Sequence, residues 1–273
     1  MPTRSYLYLR HAWPVRVMHW INVVCLACLL MSGLMIFNAH PSLGWGQSSY
    51  NGRAPLIEIT SRDDAAGRPV GVLRIGGHEF DTTGWLGVSR NPGGRTSRVA
   101  FPSWMTIPGW YSLADGRQWH FFFAWLLVIN GTCYVLYSIA SRHLQRDLVP
   151  DRADWRQVGR SVGDHLRLRH PQGEAARHYN VLQKLAYLVV VFVLLPAIVL
   201  AGWAMSPFLD SLWPGWVGLF GGRESARTVH FVVAWLLVAF VLVHVFEVVV
   251  SGFWNHLRSM VTGRYRITER SRE

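Results

Sequence analysis

Charged residues are scarce in this chain. Only 16% of its 273 residues are Asp, Glu, Lys or Arg, whereas a soluble domain carries about a quarter. Hydrophobic residues make up 51% of the chain, and Trp alone contributes 14 residues. This balance disfavours a soluble globular protein and indicates an integral membrane protein.

Cysteine is also scarce, because the chain has only Cys25, Cys28 and Cys133, and each lies in an apolar stretch. Cys25 and Cys28 form a C-x-x-C pair, but no His follows Cys28. The motif for covalent attachment of c-type haem is therefore absent. We interpret the three cysteines as small apolar packing residues.

Four apolar windows predict membrane spans, because each approaches or exceeds the roughly 20 residues that cross a hydrocarbon core. They are His19–Phe37, Trp119–Ala140, Leu185–Met205 and Val229–Trp254. The predicted fold is all-α: one domain over residues 1–273, built as a four-helix membrane bundle. An even number of spans places both termini on one side.

Arginine placement predicts which side that is. Residues 1–16, 141–184 and 251–273 hold 17 of the 27 basic residues, whereas eight others lie in the long loop 38–117. Long loops count little in the positive-inside rule, so we place both termini and the loop 141–184 in the cytoplasm of a bacterial inner membrane. The net charge of +11 then fits anionic lipid better than nucleic acid, since no aromatic-basic binding motif accompanies it.

The periplasmic loop 38–117 is rich in Gly, Pro and Trp. Pro69–Phe80 alternates apolar and other residues around Gly76-Gly77, which predicts a small β-hairpin. Phe101–Tyr111 resembles an aromatic segment that rests at headgroup level. We expect a cap over the periplasmic end, the alternative being a poorly ordered insertion. The cytoplasmic segment 142–177 is expected to be a solvated, partly helical connector.

Four of the twelve histidines, His19, His120, His230 and His244, lie in the apolar windows. Ionisable groups inside a membrane are costly and usually functional. His230 and His244 are 14 residues apart. On one helix they would point within about 40° of each other, at levels about 21 Å apart.

Topology pairs these histidines by membrane depth. His19 and His244 lie towards the cytoplasm, and His120 and His230 lie towards the periplasm. Two axial histidines per iron suit two electron-transferring b haems, whereas zinc or copper would typically require further ligands. The alternative is four hydrogen-bonded core histidines without a metal.

A short pattern, R-x-x-H, precedes three of these histidines: Arg16/His19, Arg117/His120 and Arg227/His230. Residues three apart share a helix face, so each Arg is a candidate to bind a haem propionate. For Arg16, positive-inside anchoring is an alternative explanation.

Several motifs resemble a known family. They are R-V-M-H-W (Arg16 to Trp20), G-R-Q-W-H-F (Gly116 to Phe121), Y-N-V-L-Q-K (Tyr179 to Lys184) and H-x13-H (His230 to His244). Together they resemble the di-haem membrane cytochrome b subunits, bacterial cytochrome b561-like, of formate dehydrogenase-N, nickel-iron hydrogenase and thiosulfate reductase. All four spans are covered in order.

The resemblance implies that His19 with His244, and His120 with His230, ligate two haem b groups. It also implies a quinone site, ubiquinone or menaquinone, at Asn180 and Gln183, whose amides suit quinone carbonyls. Capping of the third helix by these two residues is the alternative. Glu247 is a candidate proton relay to the quinone, or else pairs with a cytoplasmic Arg.

We therefore expect an electron-transfer subunit that links a periplasmic redox partner to the membrane quinone pool. The long loop 38–117 departs from the formate dehydrogenase subunit, so the partner stays open between a molybdoenzyme, such as one of the sulfite-oxidase type, and a cytochrome c. Two rival hypotheses are a self-sufficient oxidoreductase that passes electrons from superoxide to quinone, and a non-redox membrane protein.

Overall fold

The computed structural model describes residues 3–48, 52–91, 93–167, 180–213 and 215–270. The helices are α1 (Trp13–Phe37), α2 (Leu113–Ala140), α3 (Arg152–Leu166), α4 (Val181–Val189), α5 (Leu195–Ala204), α6 (Pro207–Leu212), α7 (Arg223–Val250) and α8 (Phe253–Thr262). The strands are β1 (Thr3–Leu9), β2 (Ser42–Leu43), β3 (Ile57–Asp63), β4 (Pro69–Ile75), β5 (His78–Asp81), β6 (Ser89–Arg90), β7 (Thr96–Ser97) and β8 (Arg264–Arg270).

Four helical segments of the described chain are long and apolar enough to cross a membrane: α1, α2, the run Val181–Ala204 and α7. The predicted helical membrane protein with four spans is confirmed, but the strands β1–β8 make the chain mostly helical rather than all-α. α1, α2 and α7 each begin before the apolar window that predicted them, so His19, His120 and His230 lie inside helices rather than at their ends.

The third span is interrupted. Between α4 and α5 the residues Val190–Leu194 form a π-helical turn, and Pro196 follows in the first turn of α5. Proline has no backbone N–H and clashes with the carbonyl four residues earlier. A wider turn accommodates that loss, as π-turns do inside α-helices.

The fourth span ends before its apolar window does. The window reaches Trp254, but α7 ends at Val250 and a new helix begins at Phe253. Gly252 adopts φ 115° at this point, a backbone conformation that glycine reaches without a steric cost. Trp254 therefore belongs to α8 and not to the membrane span.

The chain divides into two compact units. The first unit comprises Met1–Asn22, Ile129–Pro196 and Trp235–Glu273, and the second comprises Val23–Val128 and Ala197–Ala234. α7 therefore contributes His244 to the first unit and His230 to the second. The prediction of a single domain stays a prediction.

The second unit contains a four-stranded antiparallel sheet in the order β2-β3-β4-β5. Gly76 and Gly77, both with positive φ, form the turn between β4 and β5 where the alternating pattern predicts a hairpin, so the hairpin is part of a larger sheet. The sheet packs on α1 through a core of buried residues: Leu34, Phe37, Leu43, Ile59, Ala100 and Phe101. Asn38 reinforces that contact, because its side chain donates to the Phe101 carbonyl over 3.0 Å and accepts from the Phe101 amide over 2.7 Å.

The segment Phe101–Tyr111 is divided between the core and the surface of the second unit. Phe101 is buried in that core, whereas Trp104, Trp110 and Tyr111 are exposed. Only these three aromatic side chains of the segment thus have the exposure that an interfacial aromatic segment requires.

In the first unit, β1 pairs with β8 in an antiparallel ribbon that joins Thr3 to Arg270 and Leu9 to Arg264. α3 lies against α4, and the Lys184 ammonium donates to the Asp154 carboxylate over 2.7 Å. The predicted partly helical connector contains α3, but its portion from 168 to 177 lies outside the described residues.

Candidate metal centres

In the second unit, the rings of His120 on α2 and His230 on α7 lie with centroids 6.1 Å apart and planes 59° from parallel. Each Nδ1 has a hydrogen-bond partner. His230 Nδ1 lies 2.8 Å from the Ile198 carbonyl, an acceptor only, so it carries the proton. His120 Nδ1 lies 3.1 Å from Ser32 Oγ. Since the Ser32 hydroxyl donates to the Cys28 carbonyl over 2.6 Å, its lone pair accepts from His120.

These hydrogen bonds fix the tautomer of both rings. With Nδ1 protonated, Nε2 of His120 and of His230 keeps a free lone pair, which is the form that binds a metal. Metal-ligating histidines almost always donate their other N–H to a carbonyl, carboxylate or water. The second-unit pair therefore has the support that is typical of metal-ligating histidines.

Two glycines lie directly against these rings. A Cβ atom at Gly33 would lie 3.4 Å from His120 Cε1, and one at Gly202 would lie 3.3 Å from His230 Cε1. Cβ contacts as short as the second are rare in proteins. A Cβ at Gly202 would press on the His230 ring, whereas one at Gly33 would just reach van der Waals contact with the His120 ring.

In the first unit, the rings of His19 on α1 and His244 on α7 lie 6.4 Å apart with planes 56° from parallel. Aromatic rings surround them: Trp20 meets His19 edge-on at 5.3 Å, and Phe240 stacks on His244 at 5.8 Å. Within the described residues, His19 Nδ1 is buried and has no hydrogen-bond partner. This pair is held by apolar packing rather than by polar anchors.

Both separations fit one metal between each pair. Because His–metal bonds are about 2.0–2.1 Å long, two imidazoles on opposite sides of one ion place their centroids about 6 Å apart. Among the residues that the structure describes, no group of three or more His, Cys, Asp or Glu side chains could hold a metal. Two protein ligands per site suit haem, since the porphyrin supplies the other four donors.

Comparison with known proteins agrees with this geometry. The family described as prokaryotic cytochrome b561 matches residues 10–263, a range that includes all four histidines. The chain belongs to this family. It is therefore a multi-pass cytochrome b of the bacterial inner membrane that binds haem b and transfers electrons.

A curated relative matches most of the chain. The protein named "Putative protein-methionine-sulfoxide reductase subunit YedZ1" from Azospira oryzae is 28% identical over 243 residues. The match covers 88% of this cytochrome and 89% of the relative, so the likeness extends over nearly the whole of both chains.

The three arginines of the R-x-x-H pattern lie in different surroundings. In the cytochrome, Arg16 donates to the Val261 carbonyl in the last turn of α8, beside Trp20, whose indole N–H donates to the Met260 carbonyl over 3.2 Å. Arg117 is exposed and lies over the Phe121 ring at 5.6 Å. Arg16 thus has a structural role in this conformation, and its contact with a haem propionate stays a prediction.

Arg227 lies in a polar cluster at the start of α7. Its guanidinium donates to the buried carboxylate of Glu224 over 2.5 Å and to the Ser42 carbonyl over 2.6 Å. Its Nε is buried without a hydrogen-bond partner among the described residues. Arg227 therefore has one donor available on the helix turn that precedes His230.

Asn180 and Gln183 form a capping box at the start of α4. Asn180 Oδ1 accepts from the Leu182 amide over 3.0 Å, and Gln183 Oε1 accepts from the Asn180 amide over 3.2 Å. Both bonds use amide oxygens, so neither side-chain NH2 group takes part in the cap. The alternative of helix capping is thus realised, and the quinone role stays a prediction. Tyr179 of the same motif lies outside the described residues, and the proton-relay role of Glu247 is untested.

Five groups that support the sites were not found from the sequence: Ser32, Gly33, the Ile198 carbonyl, Gly202 and Glu224. Ser32 and Gly33 interrupt a window of bulky apolar residues, as Gly202 does in the third span. Small residues among bulky apolar ones could therefore have predicted where a helix leaves room for the histidine rings. A backbone carbonyl such as that of Ile198 has no sequence signature.

Proposed function

We propose that this cytochrome is a di-haem electron-transfer subunit that connects a periplasmic redox partner with the membrane quinone pool. The observation that carries the proposal is the presence of two separate histidine pairs, with ring centroids 6.1 Å and 6.4 Å apart. One helix, α7, supplies a histidine to each pair.

His120 and His230 would hold one haem, and His19 and His244 the other. Haem held by two protein histidines would supply a one-electron carrier, and this ligation favours electron transfer over oxygen binding. The chain's own contribution is to orient the imidazoles. Ser32 and the Ile198 carbonyl do so through Nδ1 in the second unit, whereas Trp20 and Phe240 do so by ring contacts in the first.

The quinone would lie near the start of α4, on the cytoplasmic side. Asn180 and Gln183 keep their NH2 donors outside the capping box and can donate to quinone carbonyls. The pairing of β1 with β8 brings these two strands together, which supports the placement of both termini on one side of the membrane.

The periplasmic partner would bind on the side of the loop 38–117. The name of the Azospira oryzae relative suggests a partner of the protein-methionine-sulfoxide reductase class. The four-stranded sheet of this loop is packed on α1, so it offers an ordered surface for such a protein.

The haem count is tested on purified protein reduced with dithionite. We expect two haem b per chain and loss of about half of the b-type absorbance in His244→Ala. His78→Ala, which removes an exposed histidine from β5, is the control and should keep both haems. Full retention of absorbance in His244→Ala would contradict the ligand assignment.

The quinone site needs variants that separate binding from capping. Asn180→Asp and Gln183→Glu keep an oxygen acceptor for the cap but remove the NH2 donors. We expect the double variant to melt at the wild-type temperature and to lose quinol-driven reduction of the haems. A wild-type rate in this variant would show that the two residues serve the helix alone.

A further inference from the structure

α8 turns polar side chains towards the protein and apolar side chains outward, which is the opposite of a surface helix in a water-soluble protein. Several of its polar side chains face the protein: Asn255 donates to the Arg266 carbonyl over 2.8 Å and accepts from the Arg266 amide over 2.9 Å. The His256 ring packs edge-on against Tyr265 at 5.3 Å, and Ser259 is fully buried. These contacts dock the polar side of α8 on β8.

Apolar side chains lie on the outside of the same helix. Trp254 is 77% exposed, Val261 is 59% exposed and Phe253 is 40% exposed. Trp254 and Val261 are seven residues apart and share a face. A surface helix normally turns its apolar stripe towards the core, so this face requires an apolar environment other than the protein interior.

The ribbon of β1 and β8 has a matching surface. Its inner side packs Tyr6 and Tyr8 against Tyr265 and Ile267. Its outer side exposes Leu7 and Leu9, each directly opposite an exposed Arg, since Leu7 pairs with Arg266 and Leu9 with Arg264. Two leucines of β1 therefore lie beside two arginines of β8 on the outer side.

The charge of this region is mostly positive. Residues 251–270 contain Arg258, Arg264, Arg266 and Arg270 and one acid, Glu269. Only Ser251 and Gly252 separate α8 from the membrane helix α7, so α8 begins where the chain leaves the hydrocarbon region. Basic side chains close to that boundary attract anionic lipid headgroups.

We propose that α8 and the ribbon form a binding surface for anionic phospholipid, made of Leu7, Leu9, Phe253, Trp254, Val261, Arg264 and Arg266. The apolar side chains enter the interface between headgroups and acyl chains, as an interfacial helix does. The two arginines donate to the lipid phosphates. The surface fixes the end of α7 that follows His244 at one membrane depth, and it does not depend on the haem assignment.

The position of Trp254 is tested in the full-length protein in nanodiscs of phosphatidylcholine and phosphatidylglycerol. A fluorophore attached to Trp254→Cys, in a background in which Cys25, Cys28 and Cys133 are alanine, is quenched by spin-labelled lipid and separately by aqueous iodide. We expect quenching of the Trp254→Cys label by lipid.

Arg62→Cys, on the polar side of β3, is the control and should be quenched by iodide. Quenching of the Trp254→Cys label by iodide alone, or by neither agent, would overturn the proposal in favour of a water-exposed face or a protein partner.

The preference for anionic lipid is tested with Arg264→Gln and Arg266→Gln. We expect the ratio of phosphatidylglycerol to phosphatidylcholine that co-purifies to fall roughly fivefold for each Arg removed. The control is Arg62→Gln with Arg98→Gln, an equal charge change at arginines that pair with Glu79 and Asp63. An unchanged ratio in the Arg264/Arg266 variant would overturn the anionic specificity.

Discussion

The two histidine pairs have nearly equal ring separations and different surroundings. In the second unit, the Nδ1 atoms of His120 and His230 each have a polar partner, Ser32 Oγ and the Ile198 carbonyl. In the first unit, His19 Nδ1 is buried without a partner among the described residues, and the rings contact Trp20 and Phe240 instead.

The difference separates two ways of holding an imidazole. A hydrogen bond from Nδ1 fixes the tautomer and the ring rotation, and it raises the basicity of Nε2 as a ligand. Aromatic packing fixes the ring position but leaves the basicity unchanged. We therefore expect the second-unit centre to have the more electron-rich iron and the lower reduction potential.

The largest effect should follow from removing one histidine of each pair. His230→Ala and His244→Ala should each lose about half of the dithionite-reduced b-type absorbance, and the double variant should lose nearly all of it. Because α7 supplies both residues, this comparison changes one helix only. A single variant that loses all absorbance would show that the two sites do not fill independently.

Acid should affect the first unit more than the second. Burial, followed by the charge of Arg10, lowers the pKa of His11 from 6.5 to about 3. Burial and Arg227 also lower the pKa of His40 in the second unit, but Glu224 and Glu58 act in the opposite direction. Between pH 6.5 and about 3, unfolded His11 binds a proton that the folded residue does not.

Above pH 6.5, His11 is neutral in both states and does not affect the free energy of unfolding. As the pH falls below 6.5, the free energy of unfolding decreases by about 1.4 kcal/mol per pH unit. His11→Gln should reduce the fall in melting temperature between pH 7 and pH 5 more than His40→Gln does. Equal effects of the two variants would remove this distinction between the units.

The sequence identified the histidines of both pairs, but it did not identify the groups that orient their rings. Ionisable residues are rare in long apolar runs, so His19, His120, His230 and His244 were recognisable, and topology alone matched each with the ring that it contacts. Their supports include the Ile198 carbonyl and the room left at Gly202. These depend on how helices pack, which no local pattern encodes.

The pairing of strands that are distant in the chain could not be predicted from the sequence either. The ribbon joins β1 to β8 across nearly the whole chain, and seven residues such as Thr3–Leu9 have no periodicity that identifies so distant a partner. The same holds for the bond from the Arg16 guanidinium to the Val261 carbonyl, which no pattern predicted; the propionate contact of Arg16 stays a prediction. The four apolar spans, in contrast, depend on composition alone.

A smaller effect is expected where Gly202 lies against His230. Replacing Gly by Ala inside a helix usually stabilises it by up to about 1 kcal/mol. Gly131 in α2 has open space around it, so Gly131→Ala should show that gain as a higher melting temperature. At Gly202 the new Cβ would lie 3.3 Å from His230 Cε1 and 3.4 Å from Nδ1. We expect Gly202→Ala to show no rise in melting temperature and to bind less haem than the wild type. An equal gain with full haem content would show that His230 is not tightly held.

The smallest effect, and the most direct test of the two surroundings, is expected from Ser32→Ala. Without Ser32 Oγ, His120 Nδ1–H loses its acceptor at 3.1 Å, and the imidazole becomes a weaker electron donor. We expect the reduction equilibrium of one haem to shift roughly threefold towards the reduced form, about 30 mV for a one-electron couple, while the other haem keeps its potential. A redox titration followed in the b-type band measures both potentials.

Ser259→Ala is the matched control, because this buried hydroxyl donates only to a carbonyl of its own helix, that of His256, and should shift neither potential. If Ser32→Ala also shifts neither, or shifts both equally, polar anchoring does not distinguish the two centres.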